Sequence, residues 1–200
     1  MVRRSLREAR LVLASASPRR ADLLRQLGLG FAVVPALGDE VLQPDLLPHD
    51  LVEGLAHQKA SEVALQESGA DLVIGADTIV VLDGQVMGKP GTSEAAVRML
   101  QTLSGNWHQV VTGFALIEPG SGRQLSGHAV TDVRMRSLGA EEIEAYVRSG
   151  EVMDKAGAYA IQGYAAIFVN EIRGCYHNVV GLPLSRLDAA WRELGWQIWN

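Results

Sequence analysis

The chain has 200 residues, 48% of them hydrophobic and 20% charged, with a formal net charge of −5 at pH 7. That length and balance suit one folded core, and they exclude a disordered, fibrous or broadly basic nucleic-acid-binding protein. The single cysteine, Cys175, excludes an intramolecular disulfide and a cysteine-rich zinc site, and fits a reducing compartment.

Residues 1–10 read as a flexible polar tail, and the first 25 residues are locally basic, with Arg3, Arg4, Arg7, Arg10, Arg19, Arg20 and Arg25 against Glu8 and Asp22. The apolar run Leu11–Ala14 is shorter than the roughly seven to fifteen residues of a secretory signal core. Nothing approaches the roughly twenty apolar residues of a membrane span, so a soluble cytoplasmic protein is expected.

Leu11–Ala14 reads as a strand entering a helix at Ser17-Pro18, with Ser17 as the expected cap, Leu23, Leu24 and Leu27 at helical spacing, and Gly28 at the end. Phe31–Val34 reads as a second strand, followed by a loop carrying Asp39-Glu40. A helix is expected over about 49–67 through Leu51, Leu55 and Val63. Leu72–Leu82 is apolar and β-branched, and Asp83-Gly84 turns it into Gln85–Met87. Gly88-Lys89-Pro90 is a loop before a helix over Ser93–Leu103 with Ser93 as its expected cap. Two long strands follow, about 107–118 and 123–135, then a helix over 140–148, a glycine-rich stretch at 157–163, a strand near Ala166–Ile172, and a last helix over about 184–194. Strands alternating with helices and long hairpins indicate a mixed α/β sheet in a single domain, without repeats or linkers.

Four segments could carry chemistry. Ser15-Ala16-Ser17-Pro18-Arg19-Arg20 puts helix-start amides, two hydroxyls and two guanidiniums at one strand–helix junction, which favours an anion. Taken alone it reads more readily as an ordinary capped helix with solvated arginines, because it is not a P-loop. Asp77-Thr78 lies within the apolar strand, where a carboxylate is costly unless it is paired, hydrogen-bonded or on a cation. Asp39-Glu40 is a solvated loop pair unless other carboxylates converge with it on a hard cation. Lysine occurs only at 59, 89 and 155, against fifteen arginines, so Lys59, Lys89 and Lys155 stand out as compact point charges. The five histidines lack metalloprotease spacing; structural roles are expected for His108 and His177, and core or subunit contacts for Trp191, Trp196 and Trp199.

These motifs occur together in one order: Ser15-x-Ser17-Pro18-Arg19-Arg20, Asp39-Glu40, Lys59-Ala60, Gly75-Ala76-Asp77-Thr78, Gly88-Lys89-Pro90, Ser104-Gly105, His108-x-Val110, Thr112-Gly113, Asp154-Lys155-Ala156-Gly157-Ala158-Tyr159, Ile161-Gln162-Gly163 and Asn178-Val179-Val180-Gly181-Leu182-Pro183. The ordered set resembles the Maf family over about residues 11–194. The resemblance implies an α/β fold related to inosine triphosphate pyrophosphatases: an elongated mixed β-sheet with flanking helices and two lobes around a cleft, formed by residues 11–200. It implies hydrolysis of a nucleoside triphosphate to the monophosphate and pyrophosphate, with Mg²⁺ or Mn²⁺ as cofactor.

Carried over by position, the resemblance makes Asp77 the proton acceptor and places Ser15, Arg20, Glu40, Lys59 and Lys89 around phosphates and metal. Glu40 and Asp77 are the carboxylates for the cation, and whether Asp77 acts as base or metal ligand stays open. Asp154–Tyr159 and Gln162 are similar to the dTTP/UTP branch of the family, in which Arg19, Thr78 and Gln162 select the base. No stable nucleic-acid or membrane partner is implied, and a homodimer is compatible with the pattern. Two rival functions remain: a non-catalytic nucleotide-binding regulator of septum formation, and a house-cleaning hydrolase of modified nucleotides.

Overall fold

The computed structural model describes residues 4–38 and 46–199. They fall into two compact units: Met1–Asp77, Thr112–Ala129 and Gly181–Asn200 in the first, Thr78–Val111 and Val130–Val180 in the second. The chain passes from one unit to the other at 77/78, 111/112, 129/130 and 180/181, so each unit is built from segments distant in sequence.

In the first unit, β1 (Arg4–Ser5) precedes β2 (Leu11–Ala14), α1 (Pro18–Gln26), β3 (Phe31–Val33) and α2 (Pro48–Gln66), which leads into β4 (Leu72–Leu82). β2 pairs in parallel with both β3 and β4. Parallel neighbours need crossover connections, and α1 and α2 supply them. All four residues of β2 are buried and β4 is buried at every position but Thr78, the continuous apolar reading of strands covered on both faces. Ala14 stands opposite Gly75, so the carboxyl end of β2 lies beside the stretch of β4 that leads to Asp77.

Two close approaches seat α2. A Cβ on Gly75 would lie 2.3 Å from the Ala56 carbonyl oxygen, and one on Gly113 2.4 Å from the Val52 carbonyl carbon. Val52, Ala56 and Ala60 share one face of α2 at a spacing of four, and all three are fully buried. Glycine therefore lets helix backbone rest on strand backbone, with small residues between.

The sheet order is β3-β2-β4-β6-β7-β8, with β5 (Gln85–Met87) paired to β4, β6 spanning Trp107–Ile117, β7 Gln124–Met135 and β8 Val169–Arg173. β5 is antiparallel to β4 through Asp83 (φ 49°) and Gly84 (φ 77°), the left-handed pair of a tight hairpin. The second unit adds α3 (Ser93–Leu103), α4 (Ala140–Arg148), 3₁₀ turns at Ala156–Ala158 and Tyr164–Phe168, and α5 (Tyr176–Val180). Its core includes Leu100, Leu103, Met135, Ile143 and Phe168.

Four local expectations change. Ser17 occupies the cap position of α1, but its side chain makes no capping bond; Ser17 N–H instead donates to Ser15 Oγ at 3.2 Å. Thr92, not Ser93, caps α3: its backbone is extended and its Oγ1 accepts from Ala95 N–H at 3.2 Å. The strand expected near 166–172 begins later, at Val169, because Tyr164–Phe168 closes into 3₁₀ turns. Within the expected tail, residues 4–6 are tied down: Arg4–Ser5 pairs in parallel with β9 (Trp196–Gln197), Leu6 is fully buried, and Arg4 meets the buried Glu118. Glu118 also accepts from Trp196 Nε1 and Ser121 Oγ, both at 2.7 Å. Trp191, on the buried face of α6 (Leu184–Glu193), and Trp196 are core residues, while Trp199 is exposed.

Candidate active site

The strand–helix junction at the end of β2 is braced by one guanidinium. Arg20 Nη1 donates to Ser15 Oγ at 3.0 Å and to the Ala76 carbonyl at 2.8 Å, and Nε donates to the Gly181 carbonyl at 2.8 Å. Three separate segments of the first unit thus converge on Arg20, which is half-buried rather than solvated. Ser15 is buried. With Pro18 in the first turn, no side-chain cap and no acidic residue there, the positive end of α1 is left for an anion to complete. Arg19 is half-buried at the same start.

One residue beyond the braced Ala76 lies Asp77, buried in β4 and joined through Oδ1 to Lys59 Nζ. The backbone contact at Gly75 explains the pairing. α2 lies against β4 there, and Lys59, beside Ala60 on that helix, reaches the strand two residues on. The apolar surroundings make each charge costly without the other, and the pair offsets that cost. An ammonium and a carboxylate held together beside a helix start form a preorganised electrostatic site, with polar groups fixed before any ligand arrives.

Thr78, half-buried, opens the second unit. Lys89 is exposed in the loop between β5 and α3, and Gly157 N–H donates to the neighbouring Gly88 carbonyl at 3.1 Å. Lys155 has only 11% of its side chain exposed and contacts Asp154. Gln162 is exposed between the two 3₁₀ turns. His108 is a core residue: its Nε2 bonds the Tyr159 hydroxyl at 2.7 Å, its Nδ1 has no hydrogen-bond partner among the described residues, and burial pulls its pKa down to about 4. Burial likewise pushes the Tyr159 hydroxyl up.

Glu40 lies outside the described residues, with Asp39. Among the described residues no group of three histidine, cysteine or acidic side chains is arranged to hold a metal. Asp77 is therefore the one described residue of the expected carboxylate pair. A small hard cation bound through one or two carboxylates and substrate phosphates is compatible with that donor set. Glu151, absent from every motif, is the functional candidate the sequence concealed; in Ser149-Gly150-Glu151 it has the look of a solvated loop acid.

The chain belongs to the Maf family: the family model described as Maf-like protein matches residues 10–194. It is 50% identical over 188 residues to the dTTP/UTP pyrophosphatase of Desulforamulus reducens, covering 94% of this chain and 98% of that one. It is 49% identical over 192 residues to the dTTP/UTP pyrophosphatase of Moorella thermoacetica, covering 96% and 98%. Among solved structures it resembles the Ham1 protein of Staphylococcus aureus (TM-score 0.53, 16% identity, 92% of this chain and 99% of that one). A HAM1 protein from Coxiella burnetii is similar (TM-score 0.52, 19% identity, 92% and 99%). These two likenesses concern the fold: a mixed sheet with flanking helices.

Proposed function

We propose that this member of the Maf family hydrolyses dTTP and UTP to the monophosphate and pyrophosphate. The observation that carries the reading is the Lys59–Asp77 pair, set in an apolar strand one residue from the Arg20 brace. Relatives about half identical along nearly their whole length bear the name dTTP/UTP pyrophosphatase. Cleavage between the α and β phosphates is largely an electrostatic task, with charge to neutralise while water attacks in line.

In this reading the amides opening α1 and Ser15 bind phosphate oxygens, and Arg20, which braces that junction, adds its charge to them. Lys59 and Lys89 neutralise phosphate charge. Asp77 receives the proton of the attacking water, with Lys59 fixing the direction of its carboxylate. A divalent cation, Mg²⁺ or Mn²⁺, would be held by Asp77 and Glu40 and would supply further charge neutralisation. Thr78, Arg19 and Gln162 select the base; Gln162 offers one acceptor and two donors for the N3–H and a carbonyl of uracil or thymine.

No helix of the described residues is long and apolar enough to cross a membrane, and we place the activity in the cytoplasm on free nucleotides. The deciding experiment measures pyrophosphate release from UTP, dTTP, CTP, ATP, GTP and 7-methyl-GTP, with and without Mg²⁺ or Mn²⁺. Release from UTP and dTTP well above the others, requiring metal, is expected. Equal rates across all bases, a preference for 7-methyl-GTP, or no release at all would sink the reading.

A further inference from the structure

Gln162 is exposed, so whatever fixes its direction has to act through its neighbours in the chain. Glu151 acts on both sides of it. The Glu151 carboxylate accepts from the Tyr146 hydroxyl at 2.9 Å through Oε1 and from the Tyr164 backbone N–H at 3.0 Å through Oε2. The same carboxylate fills the space beside Gly163, where a Cβ would sit 2.1 Å from Oε1. The Tyr146 hydroxyl in turn accepts from Ala160 N–H at 3.3 Å. Tyr146 is itself anchored: buried on α4, its ring meets Phe168 edge-on at 5.1 Å. Residues 160, 163 and 164 are thereby gathered around one carboxylate–phenol pair, and the turn is closed by Gly163 N–H to the Ala160 carbonyl at 3.0 Å. Tyr159, held by His108, anchors the segment from its other end.

We propose that Glu151 is a positioning residue for base selection, holding the backbone on either side of Gln162 so that its amide meets the pyrimidine edge in one orientation. This rests on the reading of Gln162 as a base-selecting group. A carboxylate suits the task because it is acceptor-only and faces two donors, a hydroxyl and an amide N–H. Both bonds place a donor on a carboxylate, which strengthens them relative to neutral pairs. The glycine of Ile161-Gln162-Gly163 follows from the same geometry: any side chain at 163 would displace the carboxylate. Glu151 touches no substrate in this scheme. Its effect reaches the base through about an ångström of backbone placement, a displacement that can cost on the order of a hundredfold.

The test is a double-mutant cycle on the full chain, measuring kcat and KM for UTP, dTTP and CTP in wild type, Glu151→Ala, Gln162→Ala and the double variant. Glu151→Ala is expected to raise KM for UTP and dTTP by roughly tenfold, with kcat changed less, and to lower the UTP-to-CTP preference toward that of Gln162→Ala. The double variant should discriminate no worse than Gln162→Ala alone, since one residue acts through the other. Gly163→Ala should reproduce the loss, and should add little in the Glu151→Ala background, where the space is free. If Gln162→Ala abolishes discrimination while folded Glu151→Ala keeps it, the positioning role is overturned and the reading of Gln162 stands. If Gln162→Ala leaves discrimination intact, that reading fails and takes the positioning role with it. A uniform loss on all three nucleotides in Glu151→Ala also overturns the proposal, as a purely structural role. Should Glu151→Ala not fold, Glu151→Gln, which replaces one acceptor by a donor, is judged by the same comparisons.

Discussion

Gly75 lies so close to Ala56 that a Cβ on it would sit 2.3 Å from the Ala56 carbonyl oxygen and 2.9 Å from the Ala60 backbone nitrogen. Neither neighbour is a flexible side chain, so Gly75→Ala must push α2 away from β4. The expected cost is about 1–3 kcal/mol, typical of overpacking, read as a lower urea midpoint. Because Lys59 rides on α2, the folded fraction should also lose specific activity. A Gly75→Ala protein with wild-type stability and turnover would mean that the helix is not seated by this contact.

Asp77 and Lys59 should separate chemistry from stability. Asp77→Asn keeps the size of the side chain while removing its charge and basicity. It is expected to fold and to lose at least about a hundredfold in kcat, the scale of a positioned acid–base group. Lys59→Met leaves the buried carboxylate without its partner and should cost about 1–3 kcal/mol of stability as well as activity. Pairing the two substitutions should recover part of that stability and none of the activity. Near-normal turnover in folded Asp77→Asn would remove Asp77 from the mechanism.

Arg20 is expected to affect fold and phosphate handling together. Arg20 donates to Ser15, Ala76 and Gly181, so Arg20→Ala takes a donor from each of these buried acceptors. A loss of about 1–3 kcal/mol and a fall in Tm of a few degrees for each kcal/mol should accompany a raised KM for dTTP. Arg20→Lys should recover little of either, because a single ammonium cannot serve the fork's separate directions. Full recovery by lysine would show that charge alone matters there.

The parts of this molecule written in local sequence were legible, and those written in contacts were not. β2 and β4 show as apolar runs and Asp83-Gly84 as a hairpin, because burial and left-handed backbone restrict composition directly. Asp77 was legible for the same reason: a carboxylate among Leu72–Leu82 is an anomaly that requires a partner. The Arg4–Ser5 strand was not, since its partner Trp196–Gln197 lies at the other end of the chain. Thr92 and Ser93 are both good caps, and only backbone geometry separates them. Glu151 looks like any surface acid until Tyr146 and Tyr164 are seen around it.

Acid stability should carry the signature of His108. Burial holds its pKa at about 4, against an ordinary value of 6.5, so the folded protein keeps the ring neutral where the unfolded chain would already protonate it. Nδ1 gives the same answer, since among the described residues it has no partner to accept a second N–H. The native state then binds fewer protons, and its stability falls as pH drops from about 6.5 to about 4. At about 1.4 kcal/mol per pH unit of difference, the total is about 3 kcal/mol. Glu118 acts lower down. Burial alone would raise its pKa, but bonds from Ser121, Arg4 and Trp196, with the charge of Arg4, hold it below 4.5, and its contribution is lost only below that pH. Urea unfolding of wild type and His108→Gln between pH 7.5 and 4.5 isolates the first effect. Gln can still bond the Tyr159 hydroxyl but does not titrate, so the variant should be less stable at pH 7.5 and lose less on acidification. Converging curves are expected; parallel curves would mean that His108 titrates in the fold as it does in the unfolded chain.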